Sequence, residues 1–377
     1  MNIPFNKPYV SNSAASLARQ VLDSGHLSGN GVYSQKCCQW LERESGCQRA
    51  FLTPSCTAAL EMSALLCEIT PGQEVLLPAF TFVSTANAFV MMGARPIFVD
   101  VCPDTLNLSP ESLAKKITPQ SRVIVPVHYA GVACEMTAIT ALAEEHHLTV
   151  VEDNAHGLAG TFDKKPLGSL GDLATLSFHE TKNFCCGEGG ALLVNREDWV
   201  ERAQILQDKG TNRSKFMLGQ VDKYTWVDKG SSYLLGELPA SLLLSCLHER
   251  QSIQKRRHEI WQRYSLELTS WCSQNGILRQ DIPAYAGHTA HLFYLQMPEQ
   301  RYQLKFIQHL RERGITATFH YQALNECPMG IQLGGIAGSC PVAERAARTI
   351  VRLPLYAQMT DLEQDYILDA ITGFHFD

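Results

Sequence analysis

One lysine of this chain stands where a nucleophilic amine could work. Residues 177–183 read Ser-Phe-His-Glu-Thr-Lys-Asn, and a glycine-rich run follows at 187–190. Apolar segments that we predict to be strands lie on both sides, at 173–176 and 191–194. A lysine delivered by a buried strand can lose its hydration, which keeps its amine nucleophilic. Lys182 is therefore a candidate for Schiff-base chemistry, although most lysines in loops are solvated surface charges.

A carboxylate follows another apolar strand upstream of the lysine. The run Val-Val-Glu at 150–152 leads directly to Asp153, and His156 lies three residues further on. Taken alone, an aspartate at a strand end is more often a turn or cap residue than a ligand. Together with Lys182 it has a second interpretation, because pyridoxal phosphate (PLP) needs an acid beside its pyridinium nitrogen and a lysine for its imine. The pair predicts a PLP site.

A helix start with small polar residues offers a place for the cofactor phosphate. A short strand at 50–53 is followed by Pro-Ser-Cys-Thr at 54–57 and by a predicted helix at 58–66. The first N–H groups of a helix are free to bind an anion, and a hydroxyl side chain can add a hydrogen bond. Ordinary N-capping explains a serine or threonine at this position equally well.

Composition excludes several classes of protein. The chain has 377 residues, of which 45% are hydrophobic and 19% charged, and its net charge is −6. That charge, without a long basic run, argues against general nucleic-acid binding. No apolar run reaches the ~18 residues that a membrane span needs, and no signal-peptide core is visible at the start. The thirteen cysteines form no Cys-x-x-Cys pair, so we expect reduced thiols, no metal site and a cytoplasmic location.

The first two thirds of the chain alternate between strands and helices. Further strands are predicted at 74–78, 96–101 and 123–129, with helices between them. Short apolar strands that alternate with helices favour a mainly parallel sheet covered on both faces. Ligands of such sheets bind at the carboxyl ends of the strands, where Asp153 and Lys182 are expected.

The last third predicts a smaller α/β unit. A long helical segment from about 238 to 271 looks like the connection between two domains, which we place at 1–245 and 246–377. Beyond it, strands are predicted at 290–296 and 315–321. Further helices are predicted at 301–313, 341–352 and 360–373.

Four sequence motifs, in this order along the chain, resemble those of one enzyme family. They are Pro-Ala-Phe-Thr-Phe-Val-Ser-Thr-Ala-Asn (78–87), Val-Glu-Asp-x-Ala-His (151–156), the Lys182 motif with its glycine run, and Gly-Ser-Ser-Tyr (230–233). The chain resembles the DegT/DnrJ/EryC1/StrS sugar aminotransferases over nearly its whole length. This resemblance implies the PLP-dependent transferase fold type I, similar to aspartate aminotransferase, with a large PLP-binding domain and a smaller C-terminal domain.

The resemblance also implies a role for each residue around the cofactor ring. Lys182 would form the imine with PLP and then carry the proton between cofactor and substrate. Asp153 would keep the pyridine nitrogen protonated, and His156, where relatives often have glutamine, would hydrogen-bond the 3-oxygen of the ring. Phe82 would stack on one face of the ring, and Ala155 would pack on the other.

Further residues are assigned to the phosphate and to a second subunit. By resemblance, Thr57, the backbone of Cys56 and Ser177 would hold the cofactor phosphate. Ser232 matches the residue that reaches the phosphate of a partner subunit, which implies a homodimer with shared active sites.

The resemblance implies that the substrates are L-glutamate and a keto-deoxysugar nucleotide, with dTDP-4-keto-6-deoxyglucose as the leading candidate. Lys209 and Arg213 are candidates for binding the diphosphate, although the plainer interpretation is a pair of solvated charges. His320 and Tyr321 are candidates for lining the sugar site, or else a core tyrosine beside a half-buried histidine.

Two departures from the family pattern bear on the substrate. Asn325 stands where relatives have a histidine near the substrate, and Cys185-Cys186 replace smaller residues after the lysine. Alternatives that remain open are amination at C3, amination at C4 with the opposite stereochemistry, and a non-catalytic regulatory protein of the same fold. A sugar dehydratase is disfavoured, because there histidine replaces the lysine.

Overall fold

The computed structural model describes residues 1–376, and two β-sheets dominate its architecture. The strands are β1 (Arg49–Thr53), β2 (Glu74–Pro78), β3 (Arg95–Val99), β4 (Ser121–Ile124), β5 (Thr149–Asp153), β6 (Thr161–Phe162), β7 (Lys165–Pro166), β8 (Leu173–Ser177), β9 (Gly190–Val194), β10 (Leu278–Arg279), β11 (Ala286–Gly287), β12 (Phe293–Gln296) and β13 (Ile350–Leu353).

The helices cover both sheets. They are α1 (Ala14–Ser24), α2 (Val32–Ser45), α3 (Cys56–Leu66), α4 (Val83–Val90), α5 (Pro110–Ala114), α6 (Met136–His146), α7 (Glu197–Gln207), α8 (Arg213–Met217), α9 (Glu237–His248), α10 (Arg250–Glu267), α11 (Thr269–Gln274), α12 (Gln300–Glu312), α13 (Pro328–Gln332), α14 (Pro341–Thr349) and α15 (Asp361–Thr372).

The large sheet has the strand order β1-β9-β8-β5-β4-β2-β3. Five neighbours from β8 to β3 run parallel, whereas β9 is antiparallel to both β1 and β8. Strands β2 and β9 are buried along their whole length, because helices pack on both faces of a parallel sheet. Asp153 and Ser177 end adjacent parallel strands, so the chain order brings them to one edge.

A second, antiparallel sheet has the order β10-β12-β13. Its apolar face packs against α10, α12 and α15 in a core that includes Ile260, Tyr264, Phe293, Phe306 and Ile367. The predicted boundary at 245/246 falls within α9 and remains a prediction.

Most of the predicted elements of the large sheet match the structure to within a few residues, but three predictions beyond residue 237 are wrong. The long helical connection is three helices that meet at Glu249 and Leu268. The predicted strand 315–321 forms only isolated bridges, one of them between Thr318 and Arg352. The predicted helix 341–352 ends at Thr349, and its last residues belong to β13. β-Branched Ile350 and Val351 favour a strand once they pair with β12.

Among residues 1–376, no helix is long and apolar enough to cross a membrane. The same residues contain no group of three or more His, Cys, Asp or Glu side chains placed to hold a metal ion. The thirteen cysteines are all free thiols.

Candidate active site

A cavity of about 710 Å³ opens at the carboxyl-end edge of the large sheet. We call its two sides the large-sheet wall (lining residues 55–189) and the small-sheet wall (lining residues 291–355). Ten predicted site residues line it: Cys56, Thr57, Phe82, Asp153, Ala155, His156, Ser177, Lys182, His320 and Tyr321. Parallel strands end at the same edge, which brings the residues of the large-sheet wall together. His320 and Tyr321 come from the small-sheet wall.

Lys182 lies in a loop (residues 178–189) whose two ends are joined by backbone hydrogen bonds. The N–H of Phe178 donates to the Gly189 carbonyl at 2.8 Å, and the N–H of Glu180 donates to the Gly187 carbonyl at 2.9 Å. Burial lowers the pKa of Lys182 to about 8, and the positive charge of Arg352 acts in the same direction. A lysine with this pKa is partly neutral near pH 8, so its amine is available as a nucleophile.

Asp153 is buried at the end of β5 with both oxygens engaged. Thr85 Oγ1 donates to Oδ2 at 2.8 Å, and the N–H of Ala155 donates to Oδ1 at 3.2 Å. Burial raises the pKa of this carboxyl, whereas the bonds from Thr85 and Ala155 and the charge of Lys182 oppose the rise. A cationic ring nitrogen beside Asp153 would offset its cost of burial, as the cofactor prediction requires.

His156 is held as one tautomer. Its Nδ1 accepts a hydrogen bond from the N–H of Ala130 at 3.2 Å, and its ring stacks on His291 with centroids 4.3 Å apart. Burial lowers the pKa of His156 well below its usual value, so the ring is neutral. With Nδ1 accepting, the proton is on Nε2 and is available to donate to an oxygen, such as the 3-oxygen of PLP.

The start of α3 forms an anion cradle. Ser55 caps the helix by accepting from the N–H of Ala58 at 3.1 Å, and Thr57 Oγ1 lies 2.8 Å from Ser84 Oγ. The N–H groups of Cys56 and Thr57 belong to the first turn and have no acceptor within the helix. Hydroxyls, free N–H groups and the positive end of an 11-residue helix fit a phosphate group.

Gly190 shows how tightly β9 approaches this cradle. A Cβ at this position would lie 2.4 Å from the backbone nitrogen of Cys56. The end of the glycine run is therefore required for close backbone approach, which sequence reasoning noted only as a glycine-rich run.

The small-sheet wall contributes His320 and Tyr321, whose rings stack at 3.6 Å. The hydroxyl of Tyr129, which follows β4, lies 2.7 Å from His320 Nδ1 and joins the two walls. Burial raises the pKa of Tyr129 and lowers that of His320, so the phenol donates and the imidazole accepts. Phe82, on the opposite wall, is 55% exposed, with its ring 6.2 Å from that of Tyr321.

Arg352 is a cavity residue that sequence reasoning missed. It lies on β13, lines the cavity and donates from Nε and Nη2 to the Phe319 carbonyl at 3.3 and 2.9 Å. Its signal was hidden because residues 341–352 were assigned to one helix. An arginine within an apolar strand would have marked it as a candidate.

Three predicted site residues lie outside this cavity. Ser232 is exposed on the chain after Gly230, where it pairs with Asp208 in an isolated bridge. Lys209 and Arg213 both turn toward Asp208, with nitrogen–oxygen distances of 3.0 and 3.7 Å.

The departures from the family pattern also lie away from the cavity. Asn325 is buried and donates from its amide to Glu344 at 2.7 Å. Cys185 and Cys186 belong to the loop that carries Lys182, but both are buried and do not line the cavity.

Solved structures of aminotransferases share this fold over nearly the whole chain. A Streptococcus pneumoniae protein described as a sugar aminotransferase, in its PLP form, has 26% identity and a TM-score of 0.91, covering 99% of this chain and 98% of its own. The aminotransferase TlmJ from Streptoalloteichus hindustanus has 28% identity and a TM-score of 0.90, covering 98% of both chains. DesV from S. venezuelae, solved with a ketimine intermediate, has 27% identity, a TM-score of 0.90 and the same coverage.

These matches confirm the predicted fold type and cofactor. The S. pneumoniae protein has been solved in both PLP and PMP forms, and the cradle, Asp153 and Lys182 of this chain fit that cofactor. Residues 8–372 match the sequence pattern of one family. The chain belongs to the DegT/DnrJ/EryC1/StrS aminotransferase family.

Proposed function

We propose that this protein transfers an amino group from L-glutamate to the keto group of a deoxysugar nucleotide. The specific substrate would be dTDP-4-keto-6-deoxy-D-glucose, and the product dTDP-4-amino-4,6-dideoxy-D-galactose. This choice of substrate rests on the resemblance of the motif set to the transaminase that makes this amino sugar for enterobacterial common antigen. The S. pneumoniae relative, which is described as a sugar aminotransferase, supports the substrate class.

The observation that carries the proposal is the placement of Lys182 and Asp153 on one cavity. Burial shifts both pKa values toward the neutral forms, while each charge opposes the shift of the other. Both side chains line the cavity of about 710 Å³. A desolvated lysine and a buried carboxylate that share such a space are typical of a catalytic site.

Three residues of the large-sheet wall have proposed roles in the chemistry of this reaction. PLP, when bound, supplies an electron sink that stabilises negative charge at the substrate carbon. Asp153 holds the proton on the ring nitrogen, and His156 Nε2 donates to the ring oxygen. Lys182 would hold the cofactor through its amine, and the same amine, when free, would carry the proton between the reacting carbons.

The phosphate tasks are divided between the α3 cradle and a second subunit. Cys56, Thr57 and Ser177 would hold the phosphate from within the chain. Ser232, exposed and away from its own cavity, is free to reach the phosphate of a partner. This division supports a homodimer in which each active site contains residues of both chains, with Lys209 and Arg213 as candidates for the sugar diphosphate.

The small-sheet wall supplies groups that suit a deoxysugar. His320 accepts from Tyr129 at Nδ1, so its Nε2–H can donate to a sugar oxygen. Phe319, which is 49% exposed, offers apolar surface for a 6-methyl group.

The test is the absorption spectrum of the purified protein loaded with PLP. L-Glutamate should convert the pyridoxal form to the pyridoxamine form, and dTDP-4-keto-6-deoxyglucose should restore the first. NMR of the product then establishes the carbon that is aminated and its configuration.

One control variant and two further outcomes make the result decisive. Lys182→Ala should bind PLP without forming the lysine-linked absorption band, and it should not complete the cycle. If glutamate converts the wild-type cofactor and the keto sugar does not restore it, the proposed substrate is wrong. If wild-type protein and Lys182→Ala behave alike with added PLP, the enzyme proposal itself is wrong.

A further inference from the structure

The guanidinium of Arg352 is a cation in the cavity that the large-sheet reaction machinery does not use. Two contacts fix it: the Nε and Nη2 bonds to the Phe319 carbonyl, and stacking over the Phe5 ring with 4.6 Å between Cζ and the ring centroid. Both hydrogen bonds use the Nε/Nη2 edge. The Nη1/Nη2 edge is left free, and this edge can bind a carboxylate through two parallel hydrogen bonds.

No carboxylate of the described residues lies within 4 Å of this guanidinium. Burial lowers the pKa of Arg352, and the groups that oppose this shift are the phenols of Tyr129 and Tyr321, both of which burial keeps neutral. Arg348, near the end of α14, pairs instead with Glu326 and Glu344. A half-buried guanidinium without an acidic partner has lost part of its hydration and gains no ion pair in return, so an anionic ligand would stabilise it.

We propose that Arg352 binds the carboxylate of the amino donor and thereby selects amino acids for the first half of the reaction. This inference rests on the proposed aminotransferase function and adds a residue that determines donor specificity.

Position favours the donor over the sugar nucleotide. Arg352 shares its wall with His320, whose ring centroid is 6.2 Å from that of His156 beside the predicted cofactor ring. In an amino acid the α-carboxylate is attached to the carbon that bears the reacting amine. In a 4-keto sugar nucleotide the diphosphate lies across the hexose ring from the reacting carbon, so it is expected nearer the mouth of the cavity.

The chemistry favours the same assignment. One planar guanidinium with one free edge matches the two oxygens of a carboxylate. A diphosphate carries more charge and is usually held by several cations or by a metal ion. The donor carboxylate therefore fits the number and geometry of the free N–H groups.

The experiment compares the two half-reactions in Arg352→Gln, Arg352→Lys and a matched control, Arg345→Gln. Arg345 lies on α14 and its side chain is exposed. The donor half is followed as conversion of the PLP form by L-glutamate or L-alanine, with no sugar nucleotide present. The sugar half is followed as oxidation of the PMP form by dTDP-4-keto-6-deoxyglucose. Inhibition by glutarate, which has carboxylates but no amine, reports binding without turnover.

Arg352→Gln should lower the second-order rate of the donor half about 10- to 100-fold, the range expected for charge-assisted hydrogen bonds. Glutarate inhibition should weaken by a similar factor, and the sugar half should change by less than about threefold. Arg352→Lys keeps the charge without the fork and should recover part of the loss. Arg345→Gln should match the wild type.

Several outcomes would overturn the inference. A loss confined to the sugar half would assign the guanidinium to the nucleotide, and equal loss in both halves would assign it to structure. Failure of both Arg352 variants to fold would also make it structural. Because the donor half and glutarate binding need no sugar, the inference can fail while the proposed sugar substrate holds, and the reverse.

Discussion

The two walls of the cavity are built from different elements and present different kinds of chemical group. The large-sheet wall takes Asp153 and Ser177 from the ends of adjacent parallel strands, and Lys182 from the loop that follows one of them. The small-sheet wall takes its groups from irregular chain at 318–321 and from one antiparallel strand. The first wall holds chemistry that every PLP transamination needs, whereas the second presents groups suited to choosing the substrate.

This contrast makes a general expectation. Changes on the large-sheet wall should slow both half-reactions, because the cofactor takes part in both. Changes on the small-sheet wall should slow one half-reaction more than the other, as proposed for Arg352.

The largest effect is expected for Lys182→Ala. Removal of the amine takes away both the covalent link to the cofactor and the proton carrier, so both half-reactions should fall by at least about 10³-fold. Stopped-flow absorbance measures each half separately. If the variant catalysed one half-reaction at nearly the wild-type rate, the expectation that the large-sheet wall serves both half-reactions would be wrong.

Asp153→Asn should come next, with a loss of roughly 10²- to 10³-fold in both halves, because a neutral amide cannot stabilise a protonated ring nitrogen. The substitution keeps the shape of the side chain near Thr85. An N-methylated PLP analogue carries a fixed charge on that nitrogen and should restore part of the rate in this variant. Absence of any recovery would assign Asp153 to structure instead of to the ring.

Tyr129→Phe tests the hydrogen bond that joins the walls. Without the phenol, His320 loses the donor that fixes its tautomer, so the sugar half should slow about tenfold, equivalent to about 1.4 kcal/mol. The matched control is Tyr294→Phe, because the buried Tyr294 hydroxyl has no hydrogen-bond partner in the described structure. Equal effects of the two substitutions on the sugar half would contradict the role of this bond.

The smallest expected effect is a pH dependence of cofactor capture by the PLP-free protein. Because burial lowers the pKa of Lys182 to about 8, the neutral, reactive fraction rises about tenfold from pH 7 to pH 9 and then levels off. A lysine with its ordinary pKa would keep gaining about tenfold per pH unit up to about pH 10. Capture rates measured by absorbance across this range distinguish the two curves, and Lys182→Ala serves as the blank.

The large-sheet half was predictable because its signals are local. Short apolar strands alternate with helices, so β2 was predicted with its observed bounds and Asp153 was expected at a strand end. Beyond residue 237 the signals were weaker. Residues 315–321 look apolar enough for a strand, but they run beside β13 with only isolated bridges, and no local pattern records the absence of a full partner strand.

The positions of charged side chains relative to the cavity were predicted least reliably. Lys209 and Arg213 sit in a polar stretch that suggested an anion site, yet in the chain both face Asp208. Arg352 was not among the predicted site residues, although it is the arginine that lines the cavity. A cation is defined by its neighbours in space, and those neighbours are distant in sequence.

The sequence by itself therefore determined the α/β class and the expectation that Lys182 and Asp153 share a PLP site, because residue type and strand order carry that information. The family and its fold type followed from the resemblance of the four motifs. Only the tertiary structure decided the shifted pKa values, the His156 tautomer, the Tyr129–His320 bond and the free edge of Arg352. Burial and hydrogen-bond geometry arise from packing between segments that are far apart in the sequence, by 191 positions for that bond, and no local pattern encodes them.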